Sequence, residues 1–350
     1  MGGLFSFGMV ISTLSVLPGG YLADRVDRRW LLVVGWAMCI PVPLSFAFAT
    51  SWTGLIPGWT LFYLSLYCNP AMQSYVANAA PKEYLATAYS RVFSAFPLGS
   101  VISPTVGSWI ASTLGMKAVF VVAAVFYLVS TIFMALISPQ RPSREELQNP
   151  ATGTKLPAWR AYQPLIVLCL GFAGIILILN LAMNFASPYL EEVLLVPLER
   201  VGLFGSVAAL GGACLSPLLG RLADRAGARL GMVLGLIGQT LAFGLLLLAP
   251  NLYWAGLAFF LRGSQEGVRS LMVSQVAHHA SATHLGKSYG IYNLVTGLTA
   301  SAAPALGGWL YDRRPQLPFL ATVAGSLLVV AVLVSLEAGV RRRHVTGKTV

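Results

Sequence analysis

One apolar stretch, residues 252–277, carries Arg262, Glu266 and Arg269. Spacings of four and three place the three charges on one face of a helix. A charge at the centre of a bilayer costs about 2.5–3.5 kcal/mol on insertion scales, so the trio must face a wet or protein-lined interior. Two chemistries fit the pattern. The groups can satisfy one another as a structural ion-pair cluster. Alternatively, Glu266 is a carboxylate that takes up a proton or recognises a cation, its affinity set by Arg262, Arg269 and hydration. On a continuous helix Glu266 lies roughly 21 Å from the Leu252 end, near a membrane midplane.

Other apolar stretches carry polar stripes. Ser65, Asn69 and Gln73 recur at i, i+4 and i+8 in residues 53–77, and Asn180, Asn184 and Ser187 share a face of residues 164–187. Residues 287–311 offer Asn293 and Thr296, with Tyr289 and Tyr292 nearer one end. Each stripe alone reads equally well as interhelical hydrogen-bonding glue. Together the four stretches imply polar groups converging on one solute cavity. Arg91, two turns into residues 85–112, reads as a rim cation. His278, His279 and His284 have no neighbouring acid or cysteine and read as loop histidines, not metal ligands. Leu285-Gly-Lys-Ser288 has Ser281 where a phosphate loop needs its first glycine. The four cysteines sit in apolar runs without disulfide or metal spacing. With no nucleophile–base arrangement either, the expectation is no enzyme, no metal and no cofactor.

The elements that must position these groups are membrane helices. Only 10% of the residues are charged and 56% are hydrophobic, whereas soluble domains carry about 25% charged residues. Lipid offers backbone polar groups no partners, so the spans are helical. Eleven are expected: 1–22, 30–49, 53–77, 85–112, 116–138, 164–187, 201–221, 230–249, 252–277, 287–311 and 317–338. With the 23–29 turn inside, sixteen Lys and Arg fall on one side and four on the other, which implies a multi-pass cell-membrane protein with a cytoplasmic C-terminus. The net charge of +11 is then loop and lipid-headgroup chemistry, not nucleic-acid binding. Arg341, Arg342 and Arg343 read as a topology anchor.

The chain repeats itself at a constant offset of 200 residues. Gly20-Tyr-Leu-Ala-Asp24-Arg25 matches Gly220-Arg-Leu-Ala-Asp224-Arg225, Gly35 meets Gly235, and Tyr89 meets Tyr289. Pro104, Gly107 and Trp109 meet Pro304, Gly307 and Trp309. The expected architecture is an all-α membrane protein of two pseudo-symmetric helical bundles. Residues 1–138 form a five-helix half, 139–163 a cytoplasmic linker, 164–338 a six-helix half, and 339–350 a basic tail. The partner of helix 164–187 would fall before Met1, so a twelve-helix design without its first helix is expected. Internal repeats of this kind characterise transporter folds, with a substrate site between the repeats.

Residues Gly20 to Arg29, GYLADRVDRR, resemble the G-x-L-A-D-R-x-G-R-[RK] signature of the major facilitator superfamily. Gly220 to Arg229, GRLADRAGAR, form a second, degenerate copy. Gly99, Pro104 and Gly107, echoed at Pro304 and Gly307, resemble a helix-bending motif of that family's drug:proton antiporter branch. Two departures stand out. Asp27 occupies a position where the family prefers glycine, and Asn78 one where an acidic residue often ends the helix.

The resemblance implies a secondary transporter whose cytoplasmic gate comprises Gly20, Asp24, Arg25, Arg28 and Arg29, with Gly220, Asp224, Arg225, Gly227 and Arg229. Physically, the glycines admit a neighbouring helix, and the aspartates can face the positive N-terminal end of a helix from the opposite half. The expected activity is proton-coupled efflux of a small organic solute. Metabolite uptake (a sugar or nucleoside) and a non-transporting membrane sensor or remnant are the alternatives. The expected partners are a small-molecule substrate, protons and membrane lipid.

Overall fold

The computed structural model describes residues 2–141, 163–249, 251–280 and 284–346, and every regular element among them is helical. Most of the expected linker, residues 142–162, and the last four residues of the expected tail lie outside the described residues. In chain order the helices are α1 (Gly2–Ala23), α2 (Arg28–Met38), α3 (Pro41–Phe48), α4 (Ile56–Ser65), α5 (Asn69–Ala79), α6 (Leu85–Leu114) and α7 (Met116–Leu136). They continue as α8 (Gln163–Leu181), α9 (Ala186–Glu192), α10 (Leu198–Ala226), α11 (Ala228–Leu248), α12 (Leu252–Arg262), α13 (Ser264–His279), α14 (Leu285–Arg313) and α15 (Leu317–Thr346).

Several expected spans are interrupted, and the sequence contains the reasons. Proline lacks an amide proton and suits the first turn of a helix. Pro41 opens α3, and Pro70 opens α5 behind a 3₁₀ turn at Leu66–Cys68. Residues 53–77 are therefore not one rod. A second 3₁₀ turn, Met183–Phe185, divides α8 from α9, and Gly263 divides α12 from α13. Two tight turns need glycine's freedom at positive φ: Gly115 (φ 86°) joins α6 to α7, and Gly227 (φ 96°) joins α10 to α11. The turn between α1 and α2 is built differently. There Asp27, at φ −55°, caps α2 by accepting the Arg29 amide.

Six helical stretches among the described residues are long and apolar enough to cross a membrane: Arg28–Phe48, Met116–Leu136, Gln163–Glu192, Val201–Ala226, Ala228–Leu248 and Leu317–Ser335. Large apolar side chains such as Phe126, Phe133 and Leu248 stand exposed on them, as lipid-facing surfaces require. Of the remaining expected spans, 53–77 and 252–277 are interrupted, residues 1–22 give a shorter apolar run, Ile11–Ala23, and 85–112 and 287–311 are unbroken helices of lower apolarity. These properties define an all-α, multi-pass membrane protein.

The chain sorts into two compact units. The first unit comprises Met1–Lys82, Ser103–Ala173 and Val273–Ser301; the second comprises Glu83–Ile102, Gly174–Met272 and Ala302–Val350. Each unit thus draws on both sequence repeats. In the first, Ala23, Leu31, Leu32, Cys68 and Ala71 form a core sealed by Trp36, Tyr67 and Met134. In the second the core is aromatic: Phe319 meets Tyr189 and Phe243 at centroid separations of 4.9 and 5.4 Å, and Phe204 meets Phe259 at 5.3 Å.

Candidate functional site: two carboxylate docks and a charged cavity

The first four amides of a helix have no partner within it, and the helix dipole favours negative charge there. In the first unit Asp24 answers this need at the start of α14. Its carboxylate accepts the amides of Gly286 (2.6 Å) and Lys287 (2.9 Å). In the second unit Asp224 does the same at the start of α6, accepting the amides of Ala86 (3.1 Å) and Thr87 (2.9 Å). Residues 86 and 87 are the 200-residue partners of 286 and 287, so the repeats exchange acceptor and helix reciprocally.

The glycine one turn before each aspartate lets the backbones meet. A methyl group on Gly20 would strike the Gly286 carbonyl and crowd the Gly290 Cα; on Gly220 it would strike the Ser90 hydroxyl and the Ala86 carbonyl. Around the first dock, Arg25 lies over the Tyr21 ring at 4.2 Å, with Lys287 near the same ring at 5.4 Å. Burial pushes the Asp24 carboxyl above the usual carboxylate range; the Lys287 and Gly286 amides, then Arg28 and His284, oppose the shift. Arg28 is buried, whereas Arg225 is exposed and Arg229 half-buried.

The second unit holds a cavity of about 380 Å³. One wall is Phe96, Pro97 and Ser100 of α6, and another is Gly205, Ala208 and Ala209 of α10. Met183 and the α12–α13 junction, with Arg262, Gln265 and Glu266, complete it. Glycine is required at the break, since a side chain on Gly263 would run into the backbone of Gly211 and Gly212. Arg262 is fixed by two contacts, an Nη1 hydrogen bond to the Met183 carbonyl (3.5 Å) and the Phe259 ring at 4.7 Å. Gln265 donates to the Met183 sulfur at 3.2 Å.

The expected trio is thus divided. Arg262 and Glu266 line the cavity from two helices. Arg269 does not line it and donates to Asn180 Oδ1 at 2.7 Å. Asn180 in turn donates to the Ile176 carbonyl. Among the described residues no ion pair joins Glu266 to either arginine, whereas Asp27 and Arg141 do form one.

The remaining candidates separate by unit. In the first, Gln73 and Asn293 exchange two hydrogen bonds, 2.8 and 3.4 Å. Thr296 bonds back to the Tyr292 carbonyl, which satisfies it locally. Asn69 opens α5 half-buried, and Ser65 is turned into packing, bonded to the Phe62 carbonyl and Cys39. Asn184 is exposed beyond the end of α8, so it does not share a helical face with buried Asn180. None of these residues lines the described cavity. The proline–glycine motif leaves α6 and α14 unbroken. Gly307 packs against the Leu181 carbonyl and Phe185, whereas no described atom approaches within 4 Å of where a side chain would stand at Gly99 or Gly107.

Sequence reasoning missed the Phe96–Pro97–Ser100 wall and its small-residue counterpart. The signal was present in Gly205, Ala208, Ala209 and Gly212, small residues at i, i+3, i+4 and i+7 that keep one helix face low.

A bundle of membrane helices with reciprocal helix-terminus docks and a cavity bearing opposite charges defines a transporter-type membrane protein. The family model of the Major Facilitator Superfamily matches residues 1–188 and 168–349, and the chain belongs to that family of transporters. Among similar proteins, the enterobactin exporter EntS of Shigella flexneri is 25% identical over 346 residues, covering 94% of this chain and 81% of that one. The class D tetracycline resistance protein of Salmonella ordonez is 28% identical over 156 residues, 45% of this chain, and the match spans only 39% of that protein. Among solved structures, the human organic anion transporter MFSD10 (TETRAN) superposes with a TM-score of 0.80 at 19% identity, covering 95% of this chain and 83% of that one.

Proposed function

We propose that this protein exports a small amphipathic organic solute from the cell by alternating access, coupled to proton entry. The observation that carries the reading is the reciprocal pair of docks. Each joins a helix of one sequence repeat to the N-terminus of a helix of the other through hydrogen bonds that a single opening motion would break. Such contacts bias a two-state equilibrium without blocking it. The uneven distribution of basic residues puts the docks, the linker at 139–163 and the C-terminus on the cytoplasmic side. Residues 1–138 and 164–338 are then the moving halves. The enterobactin exporter among the similar proteins supports the direction of transport.

Glu266 supplies the coupling group in this reading. It lies in the α12–α13 pair, lines the cavity, and is joined to no cation by an ion pair among the described residues. A carboxylate so placed exchanges its proton against solute or ion as access alternates. The test is flux in proteoliposomes under an imposed pH gradient, using a panel of dye-like amphipathic solutes. Gradient-driven movement that vanishes in Glu266→Gln is the expected result. Flux indifferent to the gradient, or unchanged in that variant, would refute the coupling.

A further inference from the structure

Arg262 and Glu266 stand one helical turn apart, both line the same cavity, and they do not pair. Opposite charges at that spacing ordinarily close on each other. Here the guanidinium is drawn aside by the Met183 carbonyl and the face of Phe259. A guanidinium has five N–H donors, so one bond to Met183 leaves others for a ligand. No hydrogen bond reaches the Glu266 carboxylate from the described residues. Arg269 does not compete for it by an ion pair, since its guanidinium is bonded to Asn180. The two charges act on each other at a distance without closing into an ion pair, an arrangement that a third group bonding to both would improve.

We infer that the cavity is a two-point receptor for a dipolar solute, with Glu266 binding its cationic group and Arg262 its anionic group. The inference rests on the transport reading only for the statement that the bound solute is carried. A singly charged solute would satisfy one protein charge and leave the other bare, so the site discriminates by requiring both signs. The walls suit an apolar body. Phe96 is exposed as a flat ring, Met183 is adaptable, and Gly205, Ala208 and Ala209 leave the opposite side shallow. A volume of about 380 Å³ falls at the small end of ligand pockets, which span roughly 300–1,000 Å³. The solute class is therefore a compact aromatic or alicyclic zwitterion.

Calorimetric titration of the purified full chain tests this with three probes sharing one ring: naphthylalanine, naphthylethylamine and naphthylpropionate. The zwitterion is expected to bind at least about tenfold more tightly than either singly charged probe, one lost charge contact being worth about 1.4 kcal/mol or more. Glu266→Gln should abolish its advantage over the propionate, and Arg262→Gln its advantage over the amine. Equal affinity of the zwitterion and either analogue in the unaltered chain would overturn the inference, whatever the variants do. So would variants that weaken all three probes alike. Flux reads the other proposal separately. Charge-selective binding without gradient-driven flux sinks the transport reading and leaves this one intact. Flux in a chain without this charge selectivity does the reverse.

Discussion

The docks at Asp24 and Asp224 share a hydrogen-bonding pattern and differ in almost everything around it. At the first, backbone meets backbone: Gly20 lies against Gly286 and Gly290, Asp24 is buried, and Tyr21 is flanked by two cations. At the second, Gly220 meets the Ser90 side chain as well as a carbonyl, Asp224 is only half-buried, and Arg221 replaces the tyrosine. The following turns diverge too. Asp27 caps α2 and also binds the Gln140 amide (3.1 Å) and Arg141 Nε (3.4 Å), whereas Gly227 turns the chain by its positive φ alone. Consistent with that, α7 stops at Leu136 and the chain crosses extended to Asp27, while α15 runs on as helix to Thr346. Duplication has kept the acceptor and its target amides but not their surroundings. The two docks should therefore respond unequally to equal damage.

The largest effect should come from Gly20→Val. Backbone atoms on the opposing helix cannot step aside, so melting temperature and flux should both fall steeply, by several kcal/mol in stability terms. Gly220→Val should cost somewhat less, because part of its clash is with the Ser90 side chain, although the Ala86 carbonyl stays in the way; Ser90→Gly should recover the side-chain part of the loss. Equal melting temperatures for the two valine variants would break the comparison. Next comes removal of the acceptor. Asp24→Ala leaves two amides short of a partner in a buried setting, at about 1–3 kcal/mol each. Asp224→Ala opens a half-buried site that water can enter and should cost roughly half as much on thermal melting.

A pH series sharpens the same contrast. Because burial raises the Asp24 pKa above the ordinary carboxylate range, the docked state binds a proton more tightly than the open or unfolded one. The proton-linked part of its contribution is fully present below the ordinary carboxylate pKa and is lost as pH rises through the raised value, while the two amide hydrogen bonds remain. The gap in melting temperature between the unaltered chain and Asp24→Ala should accordingly narrow as pH rises from that acidic window toward neutrality. Smaller still is Asp27→Gly, which makes the first turn resemble the second. Loss of the cap costs about 0.5–2 kcal/mol, and release of residues 140–141 should speed tryptic cleavage after Arg141. Arg141→Ala comes last. Its side chain is 76% exposed, so the change should stay within about 0.5 kcal/mol.

Much of the architecture could be read before any coordinates. The 200-residue register, visible in Gly20-Asp24 against Gly220-Asp224, reappears as hydrogen bonds between 24 and 286–287 and between 224 and 86–87. The breaks at Pro41 and Pro70 are a different matter, since the expected spans 30–49 and 53–77 run across both prolines, which open α3 and α5. The interruption at Gly263 was not readable, because no local signal marks it; what the structure adds is that α10 packs backbone-close against that glycine. For the same reason Arg262, Glu266 and Arg269 looked like one face of one helix, when two of them line the cavity and the third is bonded to Asn180. Helical periodicity reports which side chains share a face; it is silent on what lies opposite.

Gly212 packs behind two of the residues that line the cavity, where an added methyl would come within 3.2 Å of Pro97 and 3.3 Å of the Glu266 side chain. Both separations are tighter than ordinary van der Waals contact, so a side chain at this one position would be felt by the α6 wall and by the helix that carries the carboxylate at the same time.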